Sequence, residues 1–335
     1  MKIAIIGAGA WGTALATLVR ENGHDVMLWA YESDVVDAIN EEHENKCYLP
    51  GVQLERGIRA TNDLKKATCG AQWVFEAVPV QFLRTVLSQA ITCFDPEQTW
   101  VVTSKGIEQE TLLLPSQMID ELCAFQVKKA VIAGPSFASD LARKQPTGIA
   151  VAADDCAIAS ALQTVLANAY FRPYVSLDMI GVQMGGAVKN VIALGVGMLE
   201  GAGFSDNAKA LLFTRGLHEM VQLGIAMGGM QETFYGLSGV GDTAMTAMGG
   251  KSRNLEVGKR LGRGQKLLAI LDETGFVPEG VNTVQSLQRL MIEKKIDAPI
   301  CRGVYQVICD GLPIQALLDG VLDQPLRFEQ ACNQK

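Results

Sequence analysis

Lys189 is the only charged side chain inside an apolar stretch, residues 180–201, IGVQMGGAVKNVIALGVGMLEG, which reads as one long helix. A lysine held among Gly, Ala and Val has its ammonium form disfavoured. Its pKa falls toward neutrality, so it can exchange a proton with a reacting oxygen. The three histidines, His24, His43 and His218, lie outside every candidate segment, and Lys189 suits a proton carrier better than any other residue. At helical spacing its neighbours are Gly185, Gly186, Ile192 and Ala193, with Val196 and Gly197 a turn further. Gly costs ~1 kcal/mol relative to Ala in a helix interior. Glycines at 185, 186, 195 and 197 therefore imply that a ligand or another helix approaches the backbone closely. The competing reading is a structural helix whose lysine snorkels to solvent.

Other residues carry chemistry of their own. Lys105 sits at the tip of the apolar run TWVVTS, beside Gly106, in the row of strand ends where a ligand would lie; a solvated loop lysine reads the same way. GPSFA, residues 134–138, offers backbone donors and the Ser136 hydroxyl to a small oxyanion, or forms a plain turn. Asp242 falls among small and apolar residues in SGVGDTAMTA. Ser252, Arg253 and Asn254 stand at a predicted helix start. There a hydroxyl, a guanidinium and free N–H groups suit a phosphate dianion, although a solvated basic helix would look alike. Glu279 lies in a turn between Pro278 and Gly280.

These residues need elements to hold them. KIAII ends at Gly7 and a helical pattern runs from Trp11 to Asn22, giving strand, tight turn, helix. Gly7, Gly9 and Gly12 in GAGAWG have the GxGxxG spacing: the first for the turn, the second for pyrophosphate approach, the third for helix-on-strand packing. Packing glycines at a helix start are the plainer alternative. Ala30, Tyr31 and Glu32 follow the second strand, 25–29, with no Arg or Lys nearby, which leaves NAD against NADP open. Further strands are predicted at 73–78, 99–104 and 130–134, with 147–153 and 170–176 as additional, antiparallel candidates. From residue 180 the pattern is helical: 180–200, 206–227, 231–235, 240–248, 253–261, 265–270, 280–294, 300–309 and 313–322. The chain thus divides into a doubly wound α/β dinucleotide-binding domain over 1–179 and an all-α domain over 180–335.

Composition excludes several classes. With 335 residues, 48% hydrophobic and 19% charged, the chain is long enough for two cores. A net charge of −7 and no basic run argue against nucleic acid as a partner. The eight cysteines (47, 69, 93, 123, 156, 301, 309 and 332) show no CxxC pair and no His at metal spacing, so free thiols and no metal are expected. The start MKIAIIGAGAWG lacks a leader pattern and no uncharged apolar run reaches ~20 residues, so a cytoplasmic protein without stable membrane insertion is expected.

Taken in order, GAGAWGTAL (7–15), YLPG (48–51), SKGIE (104–108), GPSFA (134–138), AVKN (187–190), GLSGVGD (236–242), SRN (252–254) and PEGVNT (278–283) span the chain. Together they resemble the bacterial-type NAD(P)-dependent glycerol-3-phosphate dehydrogenases. The resemblance implies a Rossmann-type domain followed by a helical one, a 6-phosphogluconate-dehydrogenase-like plan. It implies reversible reduction of dihydroxyacetone phosphate to sn-glycerol 3-phosphate for glycerophospholipid synthesis, with NADP or NAD as cofactor. By the same resemblance Lys189 is the general acid/base and Asp242 orients it. Lys105 touches cofactor and substrate, Gly134 and Ser136 contact substrate, and Arg253 and Asn254 grip the phosphate with Ser252 close by. Gly7, Gly9, Ala10, Trp11, Gly12, Tyr31, Lys105, Ala138, Arg253, Val277 and Glu279 fall at cofactor positions. Ala10 stands where many relatives have Ser, and Tyr31 where they often have Arg or His, which weakens a claim of strong NADPH preference. The partners expected are a small phosphorylated three-carbon substrate and a second copy in a homodimer. The alternatives are a 3-hydroxyacid dehydrogenase, which the SRN segment disfavours, and a non-catalytic dinucleotide sensor, which leaves the lysines unexplained.

Overall fold

The computed structural model describes residues 1–91 and 95–322, so Cys93 and Cys332 lie outside the described residues. The strands are β1 (Lys2–Ile6), β2 (Asp25–Trp29), β3 (Ile58–Thr61), β4 (Trp73–Glu76), β5 (Thr99–Val102), β6 (Lys128–Ala133), β7 (Thr147–Ala152) and β8 (Phe171–Ser176). They form one sheet in the order β3-β2-β1-β4-β5-β6-β7-β8. β1 to β6 pair in parallel; β7 runs antiparallel to β6 and β8 parallel to β7, so the two candidates for reversed strands are reversed.

Helices cover both faces because the strands alternate at period two. Ile3 and Ile5 point into one core with Leu15, Leu18 and Leu162, from α1 (Ala10–Glu21) and α7 (Cys156–Leu166). Ala4 and Ile6 point into the other, with Leu83 and Leu87 of α4 (Val80–Ala90) and Met118 of α5 (Pro115–Leu122). The smaller helices of this half are α2 (Ser33–Asp37), α3 (Leu64–Thr68) and α6 (Ala138–Ala142). Strand order reverses between β1 and β4. The crevice beyond the carboxyl ends of those strands is where such a sheet takes its ligand.

β3 is the element that the sequence does not announce. It is four residues long, Arg59 breaks its apolar run, and its outer edge is closed by the Asn40 side chain, which bonds both Ala60 N and Ala60 O.

The helical half comprises α8 (Met179–Gly201), α9 (Asp206–Ala226), α10 (Asp242–Met248), α11 (Arg253–Gly262), α12 (Leu267–Thr274), α13 (Glu279–Lys294), α14 (Pro299–Cys309) and α15 (Ala316–Leu322). A 3-10 turn, Gln231–Tyr235, and a π turn, Leu237–Gly241, lead into α10. The predicted helix 240–248 therefore opens as a π turn, and 265–270 is displaced to α12.

α8 is the axis of this half. Asp178 caps its start, accepting from Gly181 N at 2.7 Å, Met230 N at 2.8 Å and Thr233 Oγ1 at 2.6 Å. The helix is long and apolar enough to cross a bilayer, but it is buried inside the protein. Gly185, Gly195 and Gly197 serve contacts with neighbouring protein elements. A Cβ on Gly197 would lie 2.3 Å from Leu255 O of α11, and one on Gly258 of α11 would lie 2.3 Å from Leu194 O. The two backbones touch where they cross, which only paired glycines permit. Gly185 packs on Ser238 O in the same way, and Gly195 on Leu212 and Val304.

α13 ties the two halves together at the loop after β5. Ser286 Oγ donates to Ile107 O at 2.8 Å, Arg289 donates to Gln109 O, and Gln109 Nε2 donates to Asn282 O at 3.4 Å.

Candidate active site

The turn after β1 has the shape that its glycines predict. Gly7 takes φ +115°, and a Cβ there would meet Ala77 O at 2.6 Å; one on Gly12 would meet Gly7 O at 1.9 Å. Gly9 has nothing within 4 Å of its Cβ position, so the surface over the start of α1 is open. Gly9 caps α1 without a side-chain bond, which leaves the N–H groups of Ala10, Trp11 and Gly12 directed toward that opening, as a diphosphate requires. Trp11 is half-buried against the core of this face, and Ala138 opens α6, which packs on α1. Tyr31 is 80% exposed. β2 ends at Trp29, and the Glu32 carboxylate accepts from Tyr48 Oη at 2.8 Å, so no acid closes the end of the strand itself.

At the far side of the crevice three charged groups meet. Lys189 Nζ lies 2.6 Å from Asp242 Oδ1 and Lys105 Nζ lies 2.7 Å from Asp242 Oδ2, so one carboxylate holds two ammoniums. Lys189 also donates to Thr246 Oγ1 at 2.9 Å, while that hydroxyl donates to Asp242 O at 2.6 Å. Lys105 reaches Gly134 O at 3.4 Å, and Ser136 Oγ donates to the same carbonyl at 2.9 Å. Asp242 is fully buried and the Lys189 side chain is 7% exposed; that of Lys105 is 22% exposed and forms the open edge of the trio. Lys189 does not snorkel. Gly186 gives the Lys105 stem its room, since a Cβ there would sit 3.3 Å from Lys105 Cγ.

Burial pushes the Lys189 ammonium down to about 8, partly opposed by the Asp242 charge and reinforced by Lys105. Burial pushes Asp242 the other way, but the two ammoniums outweigh it and hold its carboxyl below the ordinary carboxylate range. The trio thus combines a fixed anion with a lysine whose proton is exchangeable near neutral pH.

The third group of candidates lies at the start of α11. Ser252 caps that helix, accepting from Leu255 N at 3.2 Å, which uses its oxygen locally. Asn254 Nδ2 donates to Asn190 Oδ1 at 3.0 Å and its Oδ1 accepts from Gly280 N at 3.0 Å, so one amide hydrogen is left for a ligand. Arg253 is exposed, with its guanidinium carbon 5.0 Å from the centre of the Phe276 ring. Val277 is 40% exposed on the same loop. Glu279 begins α13, and a Cβ on Gly106 would lie 3.4 Å from its Oε2. Burial pushes Glu279 up to about 7 against the pull of Arg253.

Direct bonds therefore join Lys105, Gly134, Ser136, Lys189 and Asp242. Arg253 and Glu279 interact electrostatically, and Asn254 is linked to α8 through Asn190, the residue after Lys189. Tyr31 stands apart from them, exposed beyond the end of β2. Thr246 and Asn190 were not singled out from the sequence. The signal for Thr246 was its position four residues after Asp242, on the same helix face. Among the described residues no group of three or more His, Cys, Asp and Glu is placed to hold a metal ion. A cavity of about 400 Å3 lies at the outer edge of β3, between Met27, His43, Arg56 and Arg59, remote from this chemistry.

Residues 2–159 match the family described as the NAD-dependent glycerol-3-phosphate dehydrogenase N-terminus, and residues 178–319 its C-terminus. A curated NAD(P)+ glycerol-3-phosphate dehydrogenase of Bacillus velezensis is 42% identical over 96% of this chain and 94% of its own length. One from a Geobacter species is 40% identical over 98% of each chain. The crystal structure of glycerol-3-phosphate dehydrogenase from Coxiella burnetii superimposes with a TM-score of 0.92 at 34% identity, covering 96% of this chain and 99% of that one.

Proposed function

Because the chain belongs to the family of NAD-dependent glycerol-3-phosphate dehydrogenases, we propose that the buried Lys189–Asp242–Lys105 trio performs its reaction. That reaction is the reversible NAD(P)H-dependent reduction of dihydroxyacetone phosphate to sn-glycerol 3-phosphate. The bonding of both lysines to one fully buried carboxylate is the observation that carries this assignment.

When bound, the reduced nicotinamide supplies a hydride to the C2 carbonyl of the substrate. Lys189 Nζ gives its proton to the oxygen that becomes an alkoxide. The lowered ammonium pKa makes that transfer accessible near neutrality, and general acid catalysis of this kind contributes ~10²–10⁴-fold. Lys105, at the open edge, adds positive charge beside the same oxygen. Asp242 and Thr246 fix Lys189 in one rotamer, so the proton is delivered from a set position. Arg253 and the free amide hydrogen of Asn254 bind the phosphate, and Ser252 holds their helix start. Binding energy spent there orients C2, remote from the phosphate. Gly134 and Ser136 border the substrate, while Gly7, Gly9, Ala10, Trp11, Gly12, Tyr31, Ala138, Val277 and Glu279 receive the dinucleotide.

In this reading residues 1–179 hold the cofactor and residues 180–335 carry the proton donor and phosphate grip. A homodimer in the cytoplasm, feeding glycerophospholipid synthesis, is the setting that we propose. Burial of α8 supports a role without membrane insertion.

A purified sample given dihydroxyacetone phosphate should oxidise NADPH or NADH, tested in parallel, and should show no comparable rate with non-phosphorylated 3-hydroxyacids in the reverse direction. Rates with the hydroxyacids but none with dihydroxyacetone phosphate would transfer the site to the hydroxyacid class. Inactivity with every small ketone would leave a binding module.

A further inference from the structure

Glu76 ends β4, and its register partners place it at the floor of the crevice. Ile6, the residue before Gly7, lies beside it on β1, and Val102 lies beside it on β5. It is 0% exposed. Such a carboxyl has no place in a strand of WVFE type unless its oxygens are used, because a buried polar group without partners costs ~1–3 kcal/mol.

The close partners are on the segment leading to Lys105. Glu76 Oε1 accepts from Thr103 N at 3.0 Å, Ser104 N at 3.1 Å and Ser104 Oγ at 2.7 Å. The Glu76 main chain joins in, since Thr103 Oγ1 donates to Glu76 O at 2.7 Å. Oε2 has only Val78 N, at 3.5 Å. The next residue, Ala77, donates to Ile6 O at 2.7 Å, and its carbonyl is the atom against which Gly7 packs. One side chain therefore sets the turn Thr103–Ser104 relative to the strand that borders the glycine turn.

Without it, the Ser104 N–H and the Ser104 hydroxyl would lose their acceptor, and Thr103 N would keep only Glu76 O at 3.2 Å. The turn would have to move to recover them, carrying Lys105 with it. We propose that Glu76 is a positioning residue for the reaction: through Ser104 it fixes Lys105 at Asp242 and at the substrate oxygen. This rests on the role given above to Lys105.

Burial drives the Glu76 carboxyl up to about 7, so around neutrality the neutral acid is well populated. The useful feature is then an acceptor oxygen at full glutamate reach, and charge is secondary. Glu76→Gln keeps that oxygen and that reach; Glu76→Asp keeps the charge and withdraws the oxygen by one methylene.

The experiment measures kcat and KM for dihydroxyacetone phosphate, with thermal melting, for Glu76→Gln, Glu76→Asp, Lys105→Ala and the double variant Glu76→Asp/Lys105→Ala. The expected result is turnover within roughly threefold of the parent for the Gln variant, and a loss on the order of 100-fold for the Asp variant. In the Lys105→Ala background the Asp substitution should cost less than about threefold more, because its effect is spent through Lys105. An Asp variant more active than the Gln variant, or a full additional loss in the double variant, would overturn the positioning role. Normal turnover of Lys105→Ala alone would instead remove the premise about Lys105. If the Asp variant does not fold, Ser104→Ala takes its place in the cycle, with a smaller loss and the same non-additivity.

Discussion

Replacing Lys189 with alanine should lower turnover of dihydroxyacetone phosphate by about 10³–10⁴-fold while changing affinity for NAD(P)H by little. The proton donor is lost, and Lys105, the other ammonium on Asp242, is committed to Asp242 and Gly134. Fold loss is a poor alternative explanation for such a result. After the substitution Asp242 still has Lys105 at 2.7 Å, so the buried carboxylate goes from two cations to one and is never orphaned. Stopped-flow hydride transfer together with cofactor fluorescence titration separates the two effects. Turnover near the parent value would remove Lys189 from catalysis.

Arg253→Ala should raise KM for dihydroxyacetone phosphate by about 10–100-fold, the size of a charge-assisted hydrogen bond to phosphate. Arg253 is suited to this because its guanidinium is exposed and braced on the Phe276 ring at 5.0 Å. Glu279 draws on the same charge, so phosphate entering there competes with a carboxyl that burial already pushes toward its neutral form. Steady-state kinetics at saturating cofactor provides the check. An unchanged KM for substrate with a raised KM for cofactor would assign Arg253 to the dinucleotide alone.

How much of this was legible in the sequence varied with the physics that sets each feature. The glycine turn was readable because its spacing encodes steric demands within six residues, and Gly7 and Gly12 show both clashes. Lys189 stood out because a charge in an apolar helix needs a reason. That reason, Asp242, was 53 residues away, and Lys105 meets the same carboxylate across 137 residues. Local patterns carry no such distance; the ordered motifs of a family do.

The glycines of α8 were correctly read as a close approach, yet what approaches is α11, the π turn and their neighbours. Glycine spacing reports a short distance without naming the neighbour. β3 was missed because Arg59 and a four-residue length erase the strand period, and Glu76 because an acid in an apolar run looks like a strand end. Its partners come from β5, which only the sheet order brings alongside.

The central claim is that Lys189, poised by Asp242, delivers the proton. Its most direct test is the pH dependence of kcat/KM for dihydroxyacetone phosphate reduction, in the parent and in Asp242→Asn. Reduction needs the protonated lysine, so the parent rate should fall as pH rises through about 8. Asp242 raises the Lys189 pKa against burial and against Lys105. Removing its charge should therefore lower that pKa and move the fall to lower pH. A fall at the same pH in both proteins, or a parent rate that stays level through the alkaline range, would contradict the account.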